Sequence, residues 1–112
     1  MLIYKILRTE EWQSLRANAE TAGAPVDVAD GFIHFSTAEQ ARETAAKHFA
    51  QEDGLFLAAF DSDRMGEALK WEPSRGGALF PHLYGELDLG HAIGVYDLIE
   101  KEDGGHVFPK DY

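Results

Sequence analysis

Two short segments of this sequence place a histidine and a hydroxyl-bearing residue two positions apart. The first, GFIHFST, contains His34 and Ser36, and the second, FPHLYG, contains His82 and Tyr84. Residues two apart on an extended strand share one face, so each pair can direct its polar groups at one point. Histidine and tyrosine both transfer protons in general acid–base catalysis. We therefore predict that the two segments form opposite walls of one ligand cleft, with His82 and Tyr84 as candidate catalytic residues.

The first segment leads directly into a predicted helix. Thr37 with Gln40, or Ser36 with Glu39, matches the spacing of a capping box. A strand that ends at a helix N-terminus presents free backbone N–H groups, which suit a phosphate or a carboxylate. We therefore predict that His34, Ser36 and Thr37 bind the ligand. A purely structural interpretation also stays open, in which the two hydroxyl residues only cap the helix and His34 is a half-buried histidine.

The segment KWEPSRGG supplies four further candidates. Glu72 is a candidate catalytic carboxylate, and the indole of Trp71 beside it offers a stacking surface. Arg75 is a cation in an acidic chain, and Gly76 after it lets the backbone approach a ligand closely. We predict that all four belong to the same site. The alternatives are a strand end with Trp71 in the core and Glu72 in water, and a plain turn at Arg75 and Gly76.

Other residues of these segments are predicted to build the scaffold. Leu83 and Phe35 alternate with the polar residues along their strands, so they should pack in the core. Pro81 lacks a backbone N–H, which indicates an edge strand or a bulge where a ladder donor is not needed.

The composition limits the classes of function. Twenty Asp and Glu residues against ten Lys and Arg residues give the 112-residue chain a formal charge of −10. Because that charge opposes partners bound through many phosphates, we predict no binding to DNA or bulk RNA. A small nucleotide-like ligand stays compatible, since local donors decide its binding. Without cysteine there are no disulfides or thiolate metal sites, and His48, His91 and His106 share no metal-binding spacing. No metal site is predicted.

Localisation and domain count follow from length and hydropathy. No apolar stretch approaches the roughly 20 residues that cross a bilayer. The N-terminal residues lack the basic and apolar regions of a signal peptide. We therefore expect a soluble, cytoplasmic protein without membrane contact, folded as a single domain over residues 1–112.

Hydrophobic periodicity predicts the main elements. Apolar residues recur at three- and four-residue steps over residues 10–22 and 38–50, which predicts two main helices. The continuous apolar run at residues 55–60 predicts a central strand buried on both faces. Short strands are predicted in LIYKIL, GFIHFST, KWEP and GVYDLIEK, and an irregular connection in GAPVDVADG. This order of helices and mostly short strands predicts the α+β class.

The segments DGFIHFSTAEQ and WEPSRGGALFPHLYGEL resemble the signature of a small, mostly bacterial family whose activity is not established. The resemblance covers nearly the whole chain, from IYKI to HAIGVYDL. It implies an ADP-ribosyltransferase-like fold, with a split, bent mixed β-core and a nicotinamide-dinucleotide cleft between its halves.

A weaker similarity, to the NAD-dependent RNA 2′-phosphotransferases, places His34 and Ser36 at matching positions. Transferases of this kind often have a first-strand histidine-glycine or arginine, where Lys5 is the nearest polar residue of this chain. Their basic RNA-binding surface is also missing here.

These resemblances imply NAD or a related nucleotide as the ligand. Cleavage of a nicotinamide–ribose bond develops cationic character on the ribose, so an enzyme needs a nearby carboxylate, an aromatic ring and donors for the diphosphate. Glu72 or Glu86 is the candidate carboxylate. Tyr84 or Trp71 is the candidate ring. The candidate donors are His34, Ser36 and Arg75. The alternative is a non-catalytic small-ligand or protein-interaction module that retains the cleft without transferase activity.

Overall fold

The structure, a computed structural model, describes residues 1–109 and 112. Within these residues the chain forms three α-helices, four short 3-10 helices and nine strands, and every strand pairing is antiparallel. The helices are α1 (Thr9–Asn18), α2 (Pro25–Asp30) and α3 (Ala38–His48). The strands are β1 (Leu2–Arg8), β2 (Glu20–Thr21), β3 (Ile33–His34), β4 (Leu55–Asp61), β5 (Leu69–Pro73), β6 (Leu79–Leu83), β7 (Leu87–Asp88), β8 (Ala92–Glu100) and β9 (His106–Val107). The predicted α+β class is confirmed.

The largest sheet has the strand order β1-β4-β8-β9 and is packed on both faces. Strand β4 lies inside it between β1 and β8, and Leu57, Ala58 and Phe60 are fully buried. The central strand predicted at residues 55–60 is therefore confirmed. Helix α3 covers one face of the sheet through Ala41 and Ala45. Helix α1 and a second sheet cover the other face.

The second sheet has the order β3-β6-β5 and carries both histidine segments. Ile33 and Leu83 are paired and face the hydrophobic core. Two backbone hydrogen bonds between Tyr4 and Ser36, of 2.7 and 2.8 Å, join this sheet to β1. A third pair, β2-β7, lies beside α1. As predicted, Phe35 and Leu83 are buried.

The expected edge position of Pro81 is wrong, because β6 is the middle strand of its sheet. The carbonyl of Pro81 accepts a hydrogen bond from the Phe35 N–H. The backbone N and O of a strand residue point to the same side, so the missing donor of Pro81 also faces the β3 side. Strand β3 ends at His34. The proline therefore sits where the regular ladder has already stopped.

Helix α1 is shorter than predicted. It ends at Asn18 instead of near residue 22, and Ala19 adopts a left-handed conformation with φ of 63°. The next two residues pair with Leu87 and Asp88 as β2. Helix α3 begins at the predicted residue, where Thr37 and Gln40 form the reciprocal bonds of a capping box.

Helix α2 contradicts the prediction of an irregular connection at residues 23–31. Pro25 occupies its first turn, where a missing N–H costs nothing. The helix exposes Val26 and Val28 and buries Asp27, which inverts the usual amphipathic pattern. For that reason hydrophobic periodicity does not reveal it. No helix within the described residues is long and apolar enough to cross a membrane.

Candidate functional site

Strand pairing places two histidines side by side, so the two histidine segments are neighbours in one sheet and the prediction that they form opposite walls of the cleft is wrong. His34 of β3 and His82 of β6 are register partners, and their ring centroids are 5.5 Å apart. Phe32 stacks on the His82 ring at 4.2 Å and also contacts the His34 ring at 4.6 Å. Tyr84 approaches the same phenyl ring at 5.3 Å. Because residues two apart on a strand share a face, the alternating sequence of both segments produces this aromatic and imidazole cluster.

A buried carboxylate holds the first histidine. Asp27 Oδ1 lies 2.5 Å from His34 Nδ1 and accepts a 3.1 Å bond from the His34 backbone N–H. Asp27 Oδ2 lies 2.9 Å from the Lys5 ammonium and accepts a 2.8 Å bond from the Ala24 N–H. Lys5 also donates to the His34 carbonyl oxygen at 3.1 Å. Four groups, from β1, β3 and the residue that precedes α2, therefore converge on one carboxylate.

This environment keeps Asp27 ionised. Burial alone raises the pKa of its carboxyl group, but the hydrogen bond from His34 and the charge of Lys5 outweigh burial and lower the pKa from 3.8 to about 2. Helix α2 brings the carboxylate close to Gly23, where an added Cβ would lie 2.6 Å from the side chain of Asp27. A glycine is therefore required at that position to let Asp27 reach the site.

The outer nitrogen of His34 faces a second carboxylate. His34 Nε2 lies 3.0 Å from Asp30 Oδ2, and the side chains are 36% and 47% exposed respectively. Asp30 is the last residue of α2, three positions after Asp27. One imidazole ring is thus bracketed by a buried acid at Nδ1 and an exposed acid at Nε2.

The second histidine has its own carboxylate. His82 Nδ1 lies 2.9 Å from Glu72 Oε1, and the Tyr84 hydroxyl donates to the same oxygen at 2.7 Å. The hydrogen bond from Tyr84 and, to a smaller extent, the one with His82 lower the pKa of Glu72 below its usual value. The acceptor in turn raises the pKa of the Tyr84 hydroxyl above 10.0. Glu72, His82 and Tyr84, the three candidate catalytic residues, are therefore in direct contact.

Both imidazoles line a cavity of about 620 Å³ between the two sheets, α2 and α3. This volume lies within the range of roughly 300–1,000 Å³ typical of small-ligand sites. Its described walls include aromatic side chains, namely Tyr4, Phe35, Phe49 and Phe80. They also include polar and charged side chains, namely Lys5, Arg8, Glu11, Asp27, Asp30, His34, Ser36, Thr44, His48, Ser74 and His82. The cavity therefore offers an apolar surface and hydrogen-bonding groups to the same ligand.

The predicted site residues divide into three groups. His34, Ser36 and His82 line the cavity. Neither Glu72 nor Tyr84 is among the described residues that line the cavity. Glu72 is connected to it by its hydrogen bond with His82, and Tyr84 by its bond with Glu72. Ser36 is buried and its hydroxyl lies 3.1 Å from that of Thr44.

Thr37, Trp71 and Gly76 are not brought to the cavity among the described residues. The Thr37 hydroxyl caps α3, as the structural interpretation holds. Trp71 pairs with Pro81, so it lies on the face of β5 opposite to Glu72. Gly76 is exposed and has φ of 69°, which fits a turn that needs glycine. The side chain of Arg75 lies outside the described part of the structure.

Sequence reasoning missed the acids of α2 and the phenyl ring of Phe32. Asp27 and Asp30 lie in a segment without helical hydrophobic periodicity, and only Pro25 between two glycines signals an element there. The sequence pattern marks Lys5 only as the polar residue of the first strand. Among the described residues, no group of three or more His, Cys, Asp or Glu side chains is arranged to hold a metal ion.

Comparison with known proteins identifies relatives of the whole chain. Residues 6–95 match the family described as protein of unknown function DUF952. The chain belongs to this family. The match includes the candidate site residues from Asp27 to Glu86, whereas Lys5 lies one position before it. No curated protein matches the chain.

Solved structures of one relative share the fold. The chain is similar to protein CC0527 from Caulobacter crescentus, with 48% identity to its crystal structure over 96% of this chain and 94% of that chain, and a TM-score of 0.92. The solution NMR structure of CC0527 gives 50% identity over 93% and 90% of the two chains, with a TM-score of 0.83. The resemblance to a family of unknown function is confirmed.

Proposed function

We propose that the cavity binds a small nucleotide-like ligand of the NAD and ADP-ribose class. The observation that carries the proposal is the cross-strand pair of His34 and His82, each held at Nδ1 by its own carboxylate and each lining the cavity. A carboxylate at Nδ1 fixes the orientation of an imidazole and leaves Nε2 for other partners. Two imidazoles fixed in this way are suited to ligand contact.

The cavity walls match the parts of a nucleotide. Phe35, Phe49 and Phe80 supply apolar surface for a base, and the hydroxyls of Ser36 and Thr44 suit a ribose. The imidazoles suit phosphate oxygens, because a hydrogen bond to an anion is roughly twice as strong as a neutral one. The overall charge of −10 opposes polymeric nucleic acid but not a single nucleotide bound by local donors.

The architecture supports the ADP-ribosyltransferase-like interpretation in one respect. The cavity lies where the β1-β4-β8-β9 sheet meets the β3-β6-β5 sheet, and the bridge between Tyr4 and Ser36 joins the two. A dinucleotide cleft between two halves of a split β-core, which that fold implies, corresponds to this location. NAD and ADP-ribose are therefore the first ligands to test.

Glycosidic cleavage of NAD is the reaction that this interpretation suggests. The developing oxocarbenium ion needs a carboxylate close to the ribose. Asp27 and Asp30 are the acids of the described lining that stand beside His34, whereas Glu72 lies behind His82. Asp27 is already neutralised by Lys5. This arrangement favours the second candidate function, a module that binds the nucleotide without turnover.

A binding screen tests the proposal. Isothermal titration of the protein with NAD, ADP-ribose, AMP, adenosine and nicotinamide should give saturable binding of at least one nucleotide. His34→Asn and His82→Asn keep a donor near the Nδ1 position and remove Nε2, so each should weaken binding about tenfold or more, as loss of a charge-assisted bond does. His91→Asn is the matched control, because His91 lies outside the described lining. Equal affinity in all four proteins, or no binding at all, contradicts the proposal.

Turnover is measured separately from binding. Incubation with NAD followed by chromatography of free nicotinamide distinguishes a transferase or glycohydrolase from a binding module. Release that disappears in His34→Asn and persists in His91→Asn indicates catalysis in the cavity. Tight binding of NAD without release supports the module without turnover.

A further inference from the structure

The two acids that bracket His34 differ in their freedom to move. Asp27 is fully buried, and its oxygens are shared among Lys5, the Ala24 N–H, and the backbone N–H and ring Nδ1 of His34. Asp30 is 47% exposed, and its recorded partner is His34 Nε2 at 3.0 Å. Breaking the bond between His34 and Asp27 disrupts a buried network. The exposed pair of His34 and Asp30 contributes little to stability. Only the Asp30 side can open without cost to the fold.

The hydrogen-bonding capacity of the imidazole ring determines which groups His34 Nε2 can bind. An ionised carboxylate can only accept a hydrogen bond, so a ring nitrogen that contacts one is suited to act as the donor. The ionised carboxylate of Asp27 lies on one side of the ring in every case. The Asp30 carboxylate therefore occupies the position in which His34 donates to an anion.

That position lies in the cavity. Asp30, His34 and His82 all line it, together with Ser36 and Thr44. Lys5 is less available as an anion donor than His34 Nε2, because two of the three N–H groups of its ammonium are used on Asp27 and the His34 carbonyl oxygen. A ligand that places a neutral group at Nε2 would gain no charge-assisted bond there, whereas an anionic group would gain one.

We infer that Asp30 is an internal stand-in for an anionic group of the ligand. The inference rests on the proposed function of the cavity and deepens it: the ligand carries a phosphate or carboxylate, and that group displaces Asp30 from His34 Nε2 when it binds. The base and ribose then contact the rest of the cavity. Asp30 competes with the ligand and so sets the affinity of the resting protein.

Removal of the competing charge tests this inference. In isothermal titration with AMP, Asp30→Asn should bind about two- to fivefold more tightly than the unmodified protein, which is the effect of losing one exposed ion pair. Asp97→Asn is the control, because it changes the net charge equally from an exposed position on β8. It should leave the affinity unchanged. His34→Asn should abolish the gain when it is combined with Asp30→Asn.

The ligand series separates this inference from the function itself. AMP and ADP-ribose should bind more tightly than adenosine, and the ratio should grow in Asp30→Asn. Weaker AMP binding in Asp30→Asn, or an equal gain in Asp97→Asn, overturns the role of Asp30. Adenosine that binds as tightly as AMP in both proteins also overturns it, while leaving a ligand cavity in place. Failure of every nucleotide to bind in every variant overturns the proposed function together with the inference.

Discussion

The two acid–histidine pairs of the cleft are built in opposite ways. In the first pair the acid, Asp27, is fully buried, and the His34 side chain is 36% exposed. In the second pair the His82 side chain is 7% exposed, and the acid, Glu72, is 35% exposed. The same type of hydrogen bond therefore involves a buried acid in the first pair and a partly exposed acid in the second. This difference indicates that the pair of Asp27 and His34 stabilises the fold, whereas the pair of Glu72 and His82 only orients the His82 ring.

The burial of each acid determines how much stability is lost when its charged partner is removed. Asp27 and Lys5 neutralise each other inside the protein, so loss of either leaves an uncompensated charge. The Glu72 side chain is 35% exposed to solvent, so loss of its partners leaves a solvated carboxylate. Removing the acid of each pair should consequently have very different effects on folding.

The largest effect is expected from the buried acid. Asp27→Asn leaves the buried ammonium of Lys5 without its counter-charge, and loss of one partner of a buried pair costs about 3–5 kcal/mol of unfolding free energy. Urea unfolding at neutral pH, followed by circular dichroism, measures this loss. Asp97→Asn on β8 is the control and should change the free energy by less than about 0.5 kcal/mol. A loss for Asp27→Asn no larger than in the control means that the buried pair does not hold the site.

Acid should remove part of the same stability. Folding lowers the pKa of Asp27 from 3.8 to about 2, so the unfolded chain binds this proton more readily. The contribution, about 2 kcal/mol, is complete above about pH 5 and is lost as pH falls through 3.8 toward 2. Unfolding free energies of the unmodified protein and of Asp27→Asn should converge as the pH is lowered across this window. Parallel curves for the two proteins contradict the assignment.

The exposed acid should give the smallest effect on folding and a local effect on its neighbour. Glu72→Gln removes the charged acceptor that raises the pKa of Tyr84, so that pKa should fall toward 10.0. Ultraviolet titration of the tyrosines, with Tyr84→Phe to identify the signal, measures the shift. The urea midpoint should stay close to that of the unmodified protein. A stability loss as large as that of Asp27→Asn would show that the two pairs are not different.

The sequence predicts the halves of the site better than their surroundings. The two-residue spacing of His34 with Ser36 and of His82 with Tyr84 fixes which side chains share a face, because that period is a property of any strand. The same rule shows that Trp71 and Glu72, as neighbours on β5, cannot both face the cavity. Which of them meets His82 depends on the register of β5 with β6, and the period-two pattern alone does not set that register.

The acids of α2 lie beyond such reasoning. A helix is recognised by a buried apolar stripe, and α2 instead exposes Val26 and Val28 and buries Asp27. The burial is tolerated only because Lys5, 22 residues earlier in the chain on β1, supplies the counter-charge through tertiary packing. Helix α3 and the apolar strand β4 depend on local patterns, and those predictions are confirmed, whereas α1 ends early because the residues after it pair with β7.

The most direct test of the central claim is an NMR titration that observes the imidazole side chains themselves. Addition of ADP-ribose to protein with labelled histidines should shift the ring signals of His34 and His82 along one saturable curve. The ring signals of His91, which lies outside the described lining of the cavity, should stay in place. Saturable shifts at the two cavity histidines agree with a nucleotide site between the sheets. Unmoved signals of His34 and His82 at millimolar ADP-ribose, NAD and AMP contradict it.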